Sequence, residues 1–232
     1  MSKKQAVAFF DIDGTLFRSS LLIELVEELI ARGIFPASAK EAYRREYQAW
    51  MNREGGYEDY IDSLIGAFRQ HIKGVPYGTF SDVGKEVVKN HQHKVYRYTR
   101  DLLRRLSAED YYLVAISQSP KTILDLFCGQ YGFDKVYGRI YEIGPQDNLT
   151  GEVIDEAQIA NKAAIVQRVF SKNLDLDQGR SLAVGDTDGD IPLLESVTRP
   201  ICFNPNQSLL TYAEKRGWEV VIERKDVIYF IK

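Results

Sequence analysis

Acidic side chains cluster directly after two short apolar segments of the chain. Asp11 and Asp13 follow the apolar segment 6–10, and a second acidic group follows the segment 181–184. That second group consists of Asp186, Asp188 and Asp190. Carboxylate oxygens are ligands that Mg²⁺ prefers, and a carboxylate can also act as a nucleophile or as a general acid and base. The two groups are therefore candidates for one metal-dependent catalytic site.

The segments that precede these acids have the pattern of buried parallel strands, because they are short, mostly continuous apolar runs. After residue 107, strand and helix patterns alternate, which predicts an α/β fold with a doubly wound parallel sheet. Ligand sites in such sheets lie at the carboxyl ends of the strands. Ser117 follows the predicted strand 111–116, so we expect it at the same edge as the acids.

A long helical region separates the first predicted strand from the second. Its apolar residues recur at helical spacing, and one long helix is predicted over 79–107. The simplest arrangement is an α/β core formed by residues 1–16 and 100–232. Residues 17–99 would then form an inserted helical cap domain.

Composition excludes several classes of protein. The 232 residues include 30 basic and 33 acidic side chains, so the chain has no basic excess for binding nucleic acid by bulk charge. Two cysteines cannot make a disulfide framework. No apolar segment is long enough to span a membrane, and the apolar segment 6–10 is too short for a signal peptide. We therefore expect a cytoplasmic protein; its oligomeric state is not determined by the sequence.

Four motifs in order along the chain resemble those of the haloacid dehalogenase-like hydrolases, which are mostly Mg²⁺-dependent phosphatases. The first is Asp-Ile-Asp-Gly-Thr at 11–15, and the fourth is Gly-Asp at 185–186 with Asp190. Ser117 and Lys162 occupy the places of the second and third. The resemblance implies a Rossmann-like core, a Mg²⁺ cofactor and a small-molecule phosphate ester as substrate.

The resemblance also assigns the covalent chemistry. Asp11 would attack phosphorus and form an aspartyl phosphate, which divides a very slow hydrolysis into two easier steps. Asp13 would protonate the leaving alcohol and then activate water. Such a role requires a raised pKa, for which we expect burial and the neighbouring carboxylates to be the cause.

The remaining motif residues would offset the negative charge of the phosphate. The resemblance assigns phosphate binding to Ser117 and Lys162. It gives Asp190 the task of orienting Lys162 or a metal-bound water. Mg²⁺ would be held by Asp11, by the backbone carbonyl of Asp13 and by Asp186.

The helical insert is most similar to the first cap type of the phosphoserine-phosphatase-like branch. That branch has serine where this chain has Gly14, and an acid that holds the substrate amine where this chain has Ser20. A missing partner for a buried ammonium costs a few kcal/mol of discrimination. We therefore expect that phosphoserine is not the main substrate.

Substrate choice is expected to depend on residues of the insert. Ser20 occupies the position of the missing acid. Trp50 belongs to an aromatic stripe that could cover a pocket, although helix packing would explain the same spacing. Arg44 and Arg53 could hold an anionic group, although arginines on helices are usually solvated.

Three other functions compete with phosphomonoester hydrolysis. A phosphotransferase would pass the same aspartyl phosphate to an alcohol instead of water. A binding or signalling module would accept phosphate on Asp11 without turnover. A dehalogenase would attack carbon instead of phosphorus, but a leaving halide needs no proton. Asp13 argues against the last two, because neither needs an acid and base at that position.

Overall fold

The computed structural model describes residues 4–231, which form a central eight-stranded sheet in the order β4-β3-β2-β1-β5-β6-β7-β8. Its six inner strands pair in parallel, and the two edge strands, β4 and β8, are antiparallel to their neighbours. The predicted α/β fold with a doubly wound sheet is therefore confirmed. The strands are β1 (Gln5–Asp11), β2 (Tyr112–Pro120), β3 (Lys135–Ile143), β4 (Leu149–Ile154), β5 (Leu176–Gly185), β6 (Arg199–Phe203), β7 (Glu219–Arg224) and β8 (Val227–Ile231).

The register of the central strands brings the predicted site residues to one edge of the sheet. Asp11 at the end of β1 pairs with Ile116 of β2, so Ser117 is the next residue along β2. Phe10 of β1 pairs with Val184 of β5, so Gly185 and the following acids leave β5 at the same level. Parallel pairing thus places the ends of three strands side by side.

Helices cover both faces of the sheet, and five of them lie between β1 and β2. These five are α1 (Leu21–Ala31), α2 (Arg44–Met51), α3 (Tyr57–Ile72), α4 (Tyr77–His91) and α5 (Arg97–Ala108). The others are α6 (Lys121–Cys128), α7 (Glu156–Ala160), α8 (Lys162–Lys172), α9 (Ile191–Glu195) and α10 (Gln207–Arg216). Within residues 4–231, none of the helices combines the length and the hydropathy that crossing a membrane requires.

The prediction of one helix over 79–107 is wrong, because α4 and α5 are separated at residues 92–96. There the chain runs beside the segment that follows β1. The Arg18 amide donates to the Lys94 carbonyl at 2.8 Å, and the Tyr96 amide donates to the Leu16 carbonyl at 3.1 Å. These hydrogen bonds join residues far apart in the sequence, so helical periodicity gave no sign of the break.

One hydrophobic cluster joins the helices between β1 and β2 to one face of the sheet. It includes Phe10 of β1, Leu25 of α1, Phe68 of α3 and Val87 of α4, all fully buried. A second cluster on the other face contains residues of α8, α9 and α10. The insert therefore packs on the sheet through a continuous apolar layer.

Helix α5 contacts the strands directly, and the predicted boundary between residues 99 and 100 falls inside it. The Glu223 carboxylate of β7 accepts hydrogen bonds from the backbone amides of Arg97 and Tyr98, at 3.1 and 2.7 Å. The Tyr98 ring stacks on Phe203 of β6, with ring centroids 5.7 Å apart. The division into a core and a cap of residues 17–99 stays a prediction.

Candidate active site

A buried lysine joins two of the predicted acids at the carboxyl edge of the sheet. The Lys162 ammonium donates to Asp11 Oδ1 at 2.6 Å and to Asp190 Oδ1 at 2.5 Å. All three side chains are less than one-tenth exposed. Such pairs are strongly disrupted when one partner is removed, because an uncompensated charge is then left in the interior. This network is the electrostatic centre of the site.

Local structure fixes where Lys162 points. It is the first residue of α8, and the preceding Asn161 caps that helix by accepting a hydrogen bond from the Ala164 amide at 3.0 Å. Asn161 therefore has a structural role as an N-cap. The cap fixes the start of the helix, and the Lys162 side chain extends from it to the end of β1.

Asp190 has two tasks. Its Oδ1 accepts from Lys162, and its Oδ2 accepts from the backbone amides of Asp186 and Thr187, at 2.9 and 3.1 Å. It therefore orients the lysine and also shapes the loop that carries Asp186. Gly185 is part of this arrangement, because a Cβ atom there would lie 2.5 Å from the Asp190 side chain.

A divalent cation fits the acids of this site. Carboxylate oxygens of Asp11, Asp186 and Asp190 lie within 4.8 Å of one another. Burial raises the pKa of Asp11 to about 7 even though Lys162 opposes the shift, and burial together with Asp11 and Asp190 raises the pKa of Asp186 well above its usual range. One lysine therefore does not balance these charges, and a set of buried oxygen donors with excess negative charge suits Mg²⁺.

The loop after β1 approaches Asp186 closely. The Thr15 hydroxyl donates to Asp186 Oδ1 at 2.9 Å. Gly14 has φ +84°, and a Cβ atom at this position would lie 2.2 Å from Asp186 Oδ2. Glycine is therefore required here both for its backbone conformation and for the space next to the carboxylate.

We expect Gly14→Ala to displace the Asp186 carboxylate and to raise the Mg²⁺ concentration needed for half-maximal activity by about tenfold or more. Gly33→Ala is the matched control, because Gly33 also has a positive φ of +69° but no atom lies within 4 Å of its Cβ position. Both variants should lose some thermal stability from backbone strain, and only the first should change the metal dependence. An unchanged Mg²⁺ titration for Gly14→Ala would contradict this account.

Asp13 is held by a separate set of hydrogen bonds. Its Oδ1 accepts from the Leu21 amide at 2.6 Å, and its Oδ2 accepts from the hydroxyls of Ser117 and Ser119, at 2.5 and 2.8 Å. Burial raises the pKa of Asp13, and the three hydrogen bonds oppose that shift. The Asp13 carboxylate is therefore not part of the cluster formed by Asp11, Asp186 and Asp190. The predicted metal ligand at this residue was its backbone carbonyl.

Ser119 was missed by the sequence analysis. Ser117 and Ser119 are both buried and lie on the same side of β2, since side chains alternate along a strand. The two-residue spacing is the only signal that could have identified Ser119. In the structure Ser117 binds the acid Asp13, so its predicted contact with phosphate stays a prediction.

A cavity of about 330 Å³ opens in front of these residues. Its floor contains Asp11, Asp13, Lys162 and Asp186. Helix α3 forms one wall. The side chains that line the cavity from α3 are Tyr57, Glu58, Ile61, Asp62 and Ile65, which recur at helical spacing along one face. The helical spacing in the insert predicts helices there but does not indicate which face borders the site.

Only one of the four predicted specificity residues reaches the cavity. Ser20 lines it, and its hydroxyl also accepts from the Leu22 amide at 3.2 Å as the N-cap of α1. Arg44 is exposed and pairs with Glu41, Arg53 is exposed, and Trp50 stacks on Tyr60 within an aromatic cluster. The arginines point to solvent because nothing buries them, and the tryptophan is used for helix packing.

Arg139 of β3, which was not among the predicted site residues, also lines the cavity. Arg139 of β3 donates from Nε to the Gln118 carbonyl oxygen Oε1 at 3.0 Å, and its guanidinium lies 3.7 Å from Glu156. Arg139 does not belong to any of the four sequence motifs. It is near the site because β3 pairs with β2 in the register Pro120–Arg139.

Comparisons with known proteins agree with this arrangement. A histidinol-phosphatase from Neisseria meningitidis is 23% identical and covers 93% of this chain and 97% of its own length. A protein of unknown function from Bordetella pertussis Tohama I has a TM-score of 0.72 at 22% identity, over 95% of this chain and 99% of that chain. A phosphoserine phosphatase solved as a phospho-aspartyl intermediate analogue has a TM-score of 0.64 at 19% identity, over 97% of this chain and 96% of that chain.

A family model described as haloacid dehalogenase-like hydrolase matches residues 8–195. The matched region runs from β1 into α9 and contains each of the acids and the lysine at the strand ends. The chain therefore belongs to the haloacid dehalogenase-like hydrolase family.

Proposed function

We propose that this protein is a phosphatase, a Mg²⁺-dependent phosphomonoester hydrolase that acts through an aspartyl phosphate on Asp11. The observation that carries the proposal is the buried network in which Lys162 binds both Asp11 and Asp190, with Asp186 beside them. Phosphoryl transfer spreads negative charge over three oxygens, so it needs fixed positive charge near a carboxylate nucleophile. Lys162 provides that charge at 2.6 Å from Asp11.

In this proposal Asp11 attacks phosphorus with the oxygen that Lys162 does not bind. Lys162 holds the other oxygen and so fixes the orientation of the carboxylate. Mg²⁺ would be held by Asp11, by the Asp13 carbonyl and by Asp186, and would supply positive charge to the phosphate oxygens. Thr15 and Asp190 would keep Asp186 in position through the contacts described above.

Asp13 is the candidate acid and base. Burial raises its pKa, which favours a protonated carboxyl that gives its proton to the leaving oxygen. The resulting carboxylate would be stabilised by the hydroxyls of Ser117 and Ser119 and would then activate water against the aspartyl phosphate. In this scheme Ser117 acts through Asp13 as well as on the phosphate.

The substrate is proposed to be a small phosphorylated metabolite other than phosphoserine. Ser20 lies in the cavity without the carboxylate that would bind the substrate amine. Among the similar proteins are a histidinol-phosphatase and phosphoserine phosphatases, so histidinol phosphate and phosphoserine are the first two compounds to compare. We propose that residues 17–99 act as the cap, because α3 lines the cavity together with residues from the strand ends.

Release of phosphate from p-nitrophenyl phosphate, with and without Mg²⁺, tests the proposed function. We expect Mg²⁺-dependent turnover in the wild type. We also expect a loss of at least about 100-fold in Asp186→Asn at moderate Mg²⁺ concentration, since a ligand is removed. Turnover that is unaffected by a chelator would contradict the metal dependence. A stable, stoichiometric phosphoryl adduct without turnover would instead favour the binding module, and transfer to added glycerol would favour the phosphotransferase.

A further inference from the structure

Tyr57 is the aromatic residue that α3 presents to the active-site cavity. It is the first residue of the helix, and it lines the cavity together with Asp11, Asp13 and Asp186. The residue is half-buried. Tyr57 belongs to the helices between β1 and β2, whereas the proposed nucleophile Asp11 ends β1, so the two residues reach the cavity from different elements.

Packing holds the Tyr57 ring in one place. Its centroid lies 5.2 Å from that of Trp50 and 6.2 Å from that of Tyr60, and Trp50 stacks on Tyr60. The Gly56 amide that precedes it donates to the Asp59 carboxylate at 3.3 Å, which fixes the first turn of the helix. A ring fixed by aromatic neighbours positions its hydroxyl with little loss of conformational entropy on binding.

The Tyr57 hydroxyl is available to a ligand. Among the backbone atoms of residues 4–231 and the side chains that the structure describes there, it has no hydrogen-bond partner. Burial and the negative charges of Asp13, Asp186 and Asp11 raise the pKa of the phenol. It therefore stays protonated near neutral pH and can act as a neutral hydrogen-bond donor.

We propose that the Tyr57 hydroxyl is a catalytic hydrogen-bond donor to the oxygen of the leaving group. This inference rests on the proposed function. In-line attack by Asp11 from the sheet edge puts the leaving oxygen on the far side of phosphorus, toward α3. As the ester P–O bond breaks and the Asp11–phosphorus bond forms, Asp13 transfers its proton to the leaving oxygen. Tyr57 keeps its own proton and stabilises the charge that develops there.

The consequence is a dependence on the leaving group. An alkoxide is a poor leaving group and needs the donor, whereas p-nitrophenolate carries its charge easily. We expect Tyr57→Phe to lower kcat/KM for glycerol 2-phosphate by about 10-fold to 100-fold, and for p-nitrophenyl phosphate by less than about threefold. Lost packing or a general change in substrate binding would lower both values by the same factor.

Tyr57→Phe keeps the ring and its contacts with Trp50, so we expect an unchanged melting temperature. Tyr47→Phe is the matched control, because Tyr47 belongs to the same aromatic cluster, with its centroid 6.2 Å from that of Trp50, but does not line the cavity. It should match the wild type on both substrates. Equal losses on the two substrates, or no loss in Tyr57→Phe, would overturn this inference alone. No turnover in the wild type would overturn the proposed function, and this inference with it.

Discussion

Asp11→Asn is expected to abolish Mg²⁺-dependent phosphate release, with a loss of about 10⁴-fold or more in kcat. The carboxamide is close in shape to the carboxylate but cannot form the acyl phosphate. Lys162 would still bind Asp190, so the rest of the network is retained. The measurement is phosphate release from p-nitrophenyl phosphate, combined with detection of an acid-stable, hydroxylamine-sensitive phosphoenzyme in the wild type. The variant should give neither signal.

Although Asp11→Asn should lose activity, we do not expect it to lose stability. In metal-free buffer, burial raises the pKa of Asp11 to about 7 in the folded protein, against 3.8 for an unperturbed aspartate. The wild type therefore loses stability at this position as the pH rises from about 4 to about 7, because ionisation favours the unfolded chain. Asparagine does not ionise. We expect the melting temperature of Asp11→Asn at pH 8 to be equal to or above that of the wild type.

Asp101→Asn is the control for the loss of one carboxylate, because Asp101 is an exposed residue of α5 that does not line the cavity. It should keep wild-type turnover. Residual turnover of more than a few per cent in a verified Asp11→Asn preparation would argue against a covalent role for Asp11. A melting temperature well below that of the wild type would argue that the negative charge of Asp11 is needed by Lys162 for folding.

Lys162→Met is expected to reduce both stability and activity strongly. Among residues 4–231, Lys162 is the only cation that contacts the buried acids Asp11 and Asp190. Loss of one partner from a buried ion pair costs about 3–5 kcal/mol. We expect a clear fall in melting temperature at pH 8 without metal, and a kcat loss of about 10³-fold with Mg²⁺. The first result follows from unbalanced charge in the fold, and the second from lost stabilisation of the transferring phosphoryl group.

Magnesium distinguishes these two roles of Lys162. A divalent cation held by Asp11, Asp186 and the Asp13 carbonyl would replace part of the missing charge, so Mg²⁺ should raise the melting temperature of Lys162→Met by more than it raises that of the wild type. Activity should not recover in parallel, because the metal does not restore the contact with Asp11. Lys172→Met, at the other end of α8, is the matched control and should behave as the wild type. Equal metal stabilisation in both proteins would contradict this account.

The candidate catalytic residues could be identified from the sequence alone. The acids of residues 11–13 and 185–190 follow predicted strands, and the strand ends of a parallel sheet meet at one edge whatever the details of the packing. Composition and periodicity therefore sufficed for the fold class, and the motif order sufficed for the family. These features are local: each depends on a few neighbouring residues and on the alternation of strands and helices.

The contacts between the polar groups depend on how distant parts of the chain pack together. Lys162 lies 151 residues after Asp11, yet their charged atoms are 2.6 Å apart because α8 begins beside the end of β1. Tertiary packing also decides that Asp190 binds Lys162, whereas Asp13 accepts hydrogen bonds from Ser117 and Ser119. Nothing in the local sequence records these distances, since they follow from strand register and helix placement.

The wall of the cavity shows most clearly that sequence patterns do not reveal which side chains reach the site. The pattern of α3 predicts a helix with one apolar face, but the face that carries Tyr57 and Ile61 borders the site only because the helix packs across the strand ends. Arg44 and Arg53 were predicted to hold an anionic group because of their charge, but both are exposed to solvent. Residue type and spacing determine what a side chain can do chemically. The burial of one helix against another decides which side chains reach the substrate, because packing depends on contacts between residues distant in the sequence.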